Sequence, residues 1–134
     1  VSGPVLLVVA AAIFDAEERI LLAQRPEGKS MAGLWEFPGG KVEKSETPET
    51  ALCRELQEEL QITVDPADLN PLTFASFGYQ DFHLLMPLYE VRNWTGVPKG
   101  LEGQSLAWVH ARALKDYEAP PADIPLFEVL ARRY

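Results

Sequence analysis

Three glutamates, Glu55, Glu58 and Glu59, fall within one short run, and Leu52, Leu56 and Leu60 recur beside them at helical spacing. Residues three and four apart on a helix are neighbours, so the three carboxylates share about 100° of one face while the leucines occupy another. Like charges placed this way repel, each adjacent pair costing about 0.2–0.5 kcal/mol in an isolated helix. A cation between them removes that cost. Hard divalent ions such as Mg²⁺ take oxygen ligands, usually one or two carboxylates with waters and substrate phosphate oxygens. The cluster therefore reads as a Mg²⁺ platform for a phosphorylated substrate. The alternative is a solvated acidic face, the ordinary meaning of a charge run.

The surrounding spacing favours the platform. Five residues separate Gly40 from Glu46, and seven separate Glu46 from Arg54-Glu55; Leu56, a spacer, Glu58-Glu59, a second spacer and Gln61-Ile62 follow. This resembles the Nudix box, G-x5-E-x7-R-E-U-x-E-E-x-G-U with U aliphatic, at every fixed position but one, where the family's glycine is Gln61. Fixed residue types over so long a stretch are far more specific than a lone glycine motif. Trp35-Glu36-Phe37-Pro38-Gly39-Gly40 is similar to the MutT-like branch of the family, as are Gln24-Arg25, Gly100-Leu101-Glu102-Gly103-Gln104 and Pro120-Pro121-Ala122-Asp123-Ile124-Pro125. The resemblance covers most of the chain. It implies an α/β/α sandwich around a central mixed β-sheet. It also implies a Mg²⁺-dependent hydrolase, with Mn²⁺ as a possible substitute, that converts a nucleoside triphosphate to the monophosphate and pyrophosphate. The leading substrate is 8-oxo-dGTP, which places the activity in nucleotide-pool sanitation, DNA repair and replication fidelity.

The same resemblance assigns roles. Glu55, Glu58 and Glu59 become metal ligands, joined by the Gly39 carbonyl and by Glu102 from a later loop; Glu102 reads equally as a surface acid. Arg54 pairs with Glu58 or holds Glu55, and is catalytic by support. Glu46 binds metal through water or helps deprotonate the nucleophile, and the general base stays open among Glu55, Glu59 and Glu102. Arg25 and Lys41 are candidate phosphate contacts, or ordinary solvated cations. Phe37 lines the base pocket or packs in the core, and Phe82 and His83 follow on a strand that faces the pocket in relatives. His83 and His110 lack metal-ligand spacing and read as structural.

Asp123 bears on specificity. It is either the N-cap of the last helix or the reader of the base, where the MutT pattern carries asparagine. Ionised aspartate only accepts hydrogen bonds, which suits a guanine N–H and amino group but equally the N4 amino of cytosine, so a cytidine-type triphosphate is the alternative substrate. A Nudix-fold module that binds nucleotide without hydrolysis is the alternative of another class. Such a module should have lost ligands that this chain keeps.

The elements that must position these residues follow from patterning. A strand over 5–14 and a second over 19–24 read as a hairpin turned by Asp15-Ala16-Glu17-Glu18, with a loop over 26–33 behind it. A short strand over 35–37 stops at Pro38, and Gly39-Gly40 reads as a turn. Thr47 as N-cap and Pro48 as first residue open a helix that runs to Leu60, where Gln61 takes the left-handed closing position at a cost on the order of 1 kcal/mol. Strands over 72–77, 82–91 and 105–109 follow; Pro87 marks the second as an edge or a bulge. Helices over 111–117 and 124–133 complete the chain.

At 134 residues the chain has the length of one domain, 1–134, without staples. A single cysteine, Cys53, excludes an internal disulfide and reads as a packed thiol in a reducing cytoplasm. The apolar opening is too short for a bilayer and lacks a basic flank, so it reads as a strand and no membrane partner is expected; Val1 reads as other than a native start. A net charge of −8 without a basic cluster argues against polymeric nucleic acid. The same charge repels a free triphosphate, so the small-molecule substrate is expected to arrive with its metal. Oligomeric state is unknown from sequence.

Overall fold

The computed structural model describes residues 3–134; Val1 lies outside them. Strand β1 (Val5–Ile13) is the spine of the fold, because its run of small and branched apolar residues can be buried on both faces. It pairs in parallel with β6 (His83–Val91) and antiparallel with β4 (Gly39–Lys41), and β5 (Leu69–Gly78) flanks β6 antiparallel. The sheet order is β4-β1-β6-β5, a mixed sheet. Val9, Ala11 and Ile13 face helix α1 (Pro48–Leu60) through its buried Leu52, Leu56 and Leu60. Ala10, Ala12 and Phe14 face helix α2 (Ile124–Arg133) through Leu126, Phe127 and Leu130. These six helix side chains are almost entirely removed from water, each burial contributing about 1.5–3 kcal/mol, so both helices are clamped to the sheet. This is the expected α/β/α arrangement. A second sheet, β3 (Trp35–Glu36), β2 (Arg19–Gln24) and β7 (Ser105–His110) in the order β3-β2-β7, lies beside it. No helix among the described residues is long and apolar enough to cross a membrane.

Local chemistry forms α1 as the sequence indicates. Thr47 Oγ1 accepts from the Thr50 N–H at 3.1 Å, Pro48 fills the first turn, and Gln61 closes the helix in the left-handed region at φ 60, ψ 35. Cys53 is a half-buried free thiol at the edge of this packing.

Three expectations change. The strands joined by Asp15-Ala16-Glu17-Glu18 do not form a hairpin ladder; they meet only at the Phe14–Ile20 bridge. The flanks of β1 are taken by β4 and β6, so β2 turns away and pairs with β7 instead. Gly39-Gly40 is not a turn but strand β4, laid so tightly on β1 that a Cβ on Gly39 would stand 2.0 Å from the Val9 carbonyl oxygen. Pro87 sits in an interior strand. The β1–β6 pairing lapses between Leu7–Leu85 and Ala10–Leu88 and resumes in register, which spares the ladder the N–H that proline lacks; the bulge falls in β5, between Pro71 and Thr73. The expected short helix over 111–117 forms, as a 3₁₀ helix over Ala111–Asp116.

Candidate active site

Arg54 organises one side of the acidic face. Its guanidinium grips Glu46 with two hydrogen bonds, Nε to Oε2 at 2.8 Å and Nη2 to Oε1 at 2.9 Å. Nη1 donates to Glu58 Oε1 at 3.1 Å and lies 3.5 Å from Glu55 Oε2, while Nη2 also reaches the Lys41 carbonyl at 3.2 Å. One planar fork thus ties α1 to β4 and to the loop before the helix. Arg54's hydrogen bonds, helped by the Glu43 N–H, hold the Glu46 carboxyl down at about 2. Both oxygens of Glu46 are engaged here, so in this geometry Glu46 faces the arginine and not a nucleophile. Glu58 stays exposed.

The other side of the face is the reverse. Glu59 is half-buried, and burial, then the neighbouring carboxylates of Glu55, Glu102 and Glu36, push its carboxyl up to about 9. Glu55 is raised as well, chiefly by burial, against the pull of Arg54. Glu55 lies over β4 at Gly40, where a Cβ would stand 2.1 Å from Glu55 Oε2. A small cavity of about 70 Å³ opens here, lined among others by Arg25, Lys29, Glu36, Glu59, Glu102 and Gln104. That volume admits an ion with a few waters but not a nucleotide. Among the described residues, no three His, Cys, Asp or Glu side chains yet form a closed ligand set. The donor set nevertheless suits a hard cation, since its groups are carboxylate oxygens and the charges of Glu55, Glu102 and Glu36 all bear on Glu59.

The remaining candidates are spread around this centre. Gly39 lies beside it in β4, and the Lys41 side chain is exposed. Arg25 is taken up by Glu36, Nη1 to its two oxygens at 3.2 and 3.1 Å, and by the Ser30 carbonyl at 2.6 Å. Phe37 is buried edge-on against Phe127 at 5.2 Å, on the α2 side of the sheet. Asp123 is buried there too, and its carboxylate accepts the Phe37 N–H at 3.2 Å. Although Asp123 precedes α2, its side chain makes no cap hydrogen bond. Burial, and then the Glu36 charge, raise it to about 7 against the Phe37 N–H and Arg25. Phe82 lies just before β6, stacked on Tyr79 at 5.1 Å, and His83 meets Ser76 Oγ at 2.6 Å.

Two residues of this region carry no sequence assignment. Glu36 stands between the acidic cavity and Asp123 and influences both. Alternation in Trp35-Glu36-Phe37 places it opposite the core aromatics, and its register against Ala23 sets it near Arg25; the first signal is legible in sequence, the second is not. Gln104 lines the cavity from β7's approach, visible beforehand only as a neighbour of Glu102.

A family model described as NUDIX domain matches residues 9–129. The chain belongs to the Nudix family. As a Nudix hydrolase it acts on phosphoanhydride bonds, and hydrolases of the family use a divalent metal. Among its relatives, the CTP pyrophosphohydrolase of Escherichia coli K12 is 39% identical over 123 residues, covering 92% of this chain and 90% of its own. The 8-oxo-dGTP diphosphatase of Haemophilus influenzae is 42% identical over 126 residues, 93% and 91% of the two chains. A solved MutT structure, from work on Aliivibrio salmonicida and Vibrio cholerae, superposes with a TM-score of 0.83 at 34% identity, covering 97% of this Nudix chain and 99% of its own.

Proposed function

We propose that this Nudix hydrolase is a Mg²⁺-dependent nucleoside triphosphate pyrophosphohydrolase, releasing monophosphate and pyrophosphate, with 8-oxo-dGTP as its leading substrate. The observation that carries this is the geometry of the acidic face: Arg54 ties Glu46, Glu58 and Glu55 together on one side, and Glu59 and Glu102 line a small cavity on the other. Glu55, Glu58, Glu59, Glu102 and the Gly39 carbonyl would hold the ion, which when bound would supply charge neutralisation on the phosphates and activation of the attacking water. Arg54 keeps Glu55 and Glu58 in place, and Glu46 keeps Arg54 in place. Arg25 and Lys41 contact phosphate oxygens, Arg25 by exchanging part of its hold on Glu36. Glu55, Glu59 and Glu102 are the groups able to accept the water's proton. The nucleotide extends past the small cavity toward Phe37, Phe82 and Asp123, where the base is read. Residues 1–134 act as one Nudix domain on a free nucleotide, in a cytoplasmic setting.

A cytidine-type triphosphate is the second reading. It is favoured by Asp123, a buried carboxyl whose one described hydrogen bond goes to the Phe37 N–H, and by the 39% identity to a CTP pyrophosphohydrolase. A panel of oxidised, methylated and ordinary triphosphates with product analysis separates the two. The sanitising reading requires kcat/KM for 8-oxo-dGTP to exceed that for dGTP by at least about tenfold, or 1.4 kcal/mol. A preference for CTP or a modified cytidine nucleotide instead establishes the second reading. Under that second reading, at a pH well above the raised value of about 7, Asp123→Asn should shift preference away from cytosine by about tenfold, because the ionised carboxyl only accepts whereas an amide presents a donor as well.

A further inference from the structure

The loop that carries Glu102 is fastened to the end of α1. The Leu60 carbonyl accepts from Lys99 N–H at 3.0 Å, and the Glu59 carbonyl accepts from Leu101 N–H at 3.1 Å. Gln104 adds a bond of another kind. Its Nε2 donates to the Glu59 carbonyl at 3.2 Å while its Oε1 accepts the Glu102 N–H at 2.8 Å. The amide fits in one orientation only, since turning it over would set oxygen against carbonyl and NH₂ against N–H. One side chain therefore bridges the backbones of two acids that crowd each other electrostatically. Helix capping does not require this bridge, because Leu101 already satisfies the Glu59 carbonyl. The loop is compact around it: a Cβ on Gly100 would stand 2.1 Å from the Gln104 carbonyl oxygen, and Gly103 takes φ +83.

We propose that Gln104 is a positioning residue that sets Glu102 against Glu55 and Glu59, so that a divalent ion meets its later-loop ligand already in place. The proposal rests on the reading of Glu102 as a ligand. Without the bridge, an exposed loop acid has to be ordered each time the ion binds, which weakens the ion.

The test is Mn²⁺ binding to the resting protein, without substrate, followed by electron paramagnetic resonance of the free ion. Gln104→Met keeps the length and loses both hydrogen bonds; it is expected to weaken Mn²⁺ about tenfold, the lower end of losses on removing outer partners of metal ligands. Gln104→Asn, one methylene too short to reach both backbones, should do the same and guards against misfolding of the Met variant, with the metal-free melting curve as control. Glu102→Gln should weaken Mn²⁺ at least as much, and adding Gln104→Met to it should change little further. Equal weakening by Gln104→Met with and without Glu102 overturns the proposal, as does a Gln104→Met protein that binds Mn²⁺ like the parent while Glu102→Gln does not. If Glu102→Gln binds like the parent, the reading of Glu102 as a ligand fails and takes the proposal with it.

Discussion

Two carboxylates within reach of one helix end up at opposite extremes. Glu46, gripped by Arg54, is held at about 2; Glu59, largely withdrawn from water and then crowded by Glu55, Glu102 and Glu36, is pushed to about 9. The residue type is the same; the differences are burial and the partner. On the Arg54 side one fork meets Glu46, Glu55 and Glu58, so each of these acids has a cation beside it within the chain. On the Glu59 side Arg25 pairs with Glu36, but among the described residues no cation pairs with Glu59 itself. A site built this way is rigid where it supports and deficient in positive charge where it binds, which is what a metal-dependent phosphoanhydride hydrolase needs.

The sharpest way to break the comparison is Glu59→Gln. Removal of a proposed ligand should lower kcat by more than about a hundredfold, beyond what outer partners of metal ligands usually cost. The metal-free protein should be no less stable, because one member of a repelling group is gone. A melting curve beside a turnover assay checks both, and turnover near the parent level would remove Glu59 from the site. Arg54→Lys attacks the balanced side. An ammonium cannot reproduce the two bonds to Glu46 together with those to Glu58, so turnover should fall about ten- to a hundredfold with a raised Mg²⁺ requirement. An unchanged Mg²⁺ dependence would show that Arg54 does not act through the ligands.

Stability against pH separates the two sides without mutation. Glu59 has a folded pKa raised above its unfolded value near 4.5, so its contribution is fully present below 4.5 and lost as pH rises towards about 9. Glu46 is depressed, so its contribution is present above 4.5 and lost as pH falls towards about 2. In chelator, the melting temperature should therefore decline by a few degrees from mildly acidic to alkaline pH, and saturating Mg²⁺ should remove that decline. A decline that persists in Mg²⁺ would mean that the ion does not engage Glu59. The smallest effect is expected at Gln61, which closes the helix that carries both sides. Gln61→Gly relieves a left-handed residue at φ 60 and should add about 1 kcal/mol of stability with turnover unchanged. A lower melting temperature would show that the exposed glutamine contributes something the backbone angle conceals.

Much of this was legible because it is local. Thr47-Pro48, the Leu52-Leu56-Leu60 stripe and the spacing of Arg54, Glu55, Glu58 and Glu59 act within a few turns of one helix, where sequence distance is spatial distance. The continuous apolar run of β1 likewise announces a strand covered on both faces, since no other strand can bury consecutive residues. The β1–β2 hairpin misled because turn chemistry says where a chain reverses but not which neighbour a strand then keeps. The glycine pair misled for a similar reason. Glycine reports a close approach, here to Val9 and Glu55, without saying whether a turn or a paired strand makes it.

The sequence by itself determined the family, the reaction class and the helix that bears the acids, because each rests on residue type at fixed short spacing. The tertiary structure alone decided which acids are balanced and which are not. Arg25 meets Glu36 across two strands, Asp123 meets the Phe37 N–H from the far end of the chain, and Gln104 bridges Glu59 to Glu102. A carboxylate's charge state depends on burial and on partners within a few ångströms, and only folding brings those partners together.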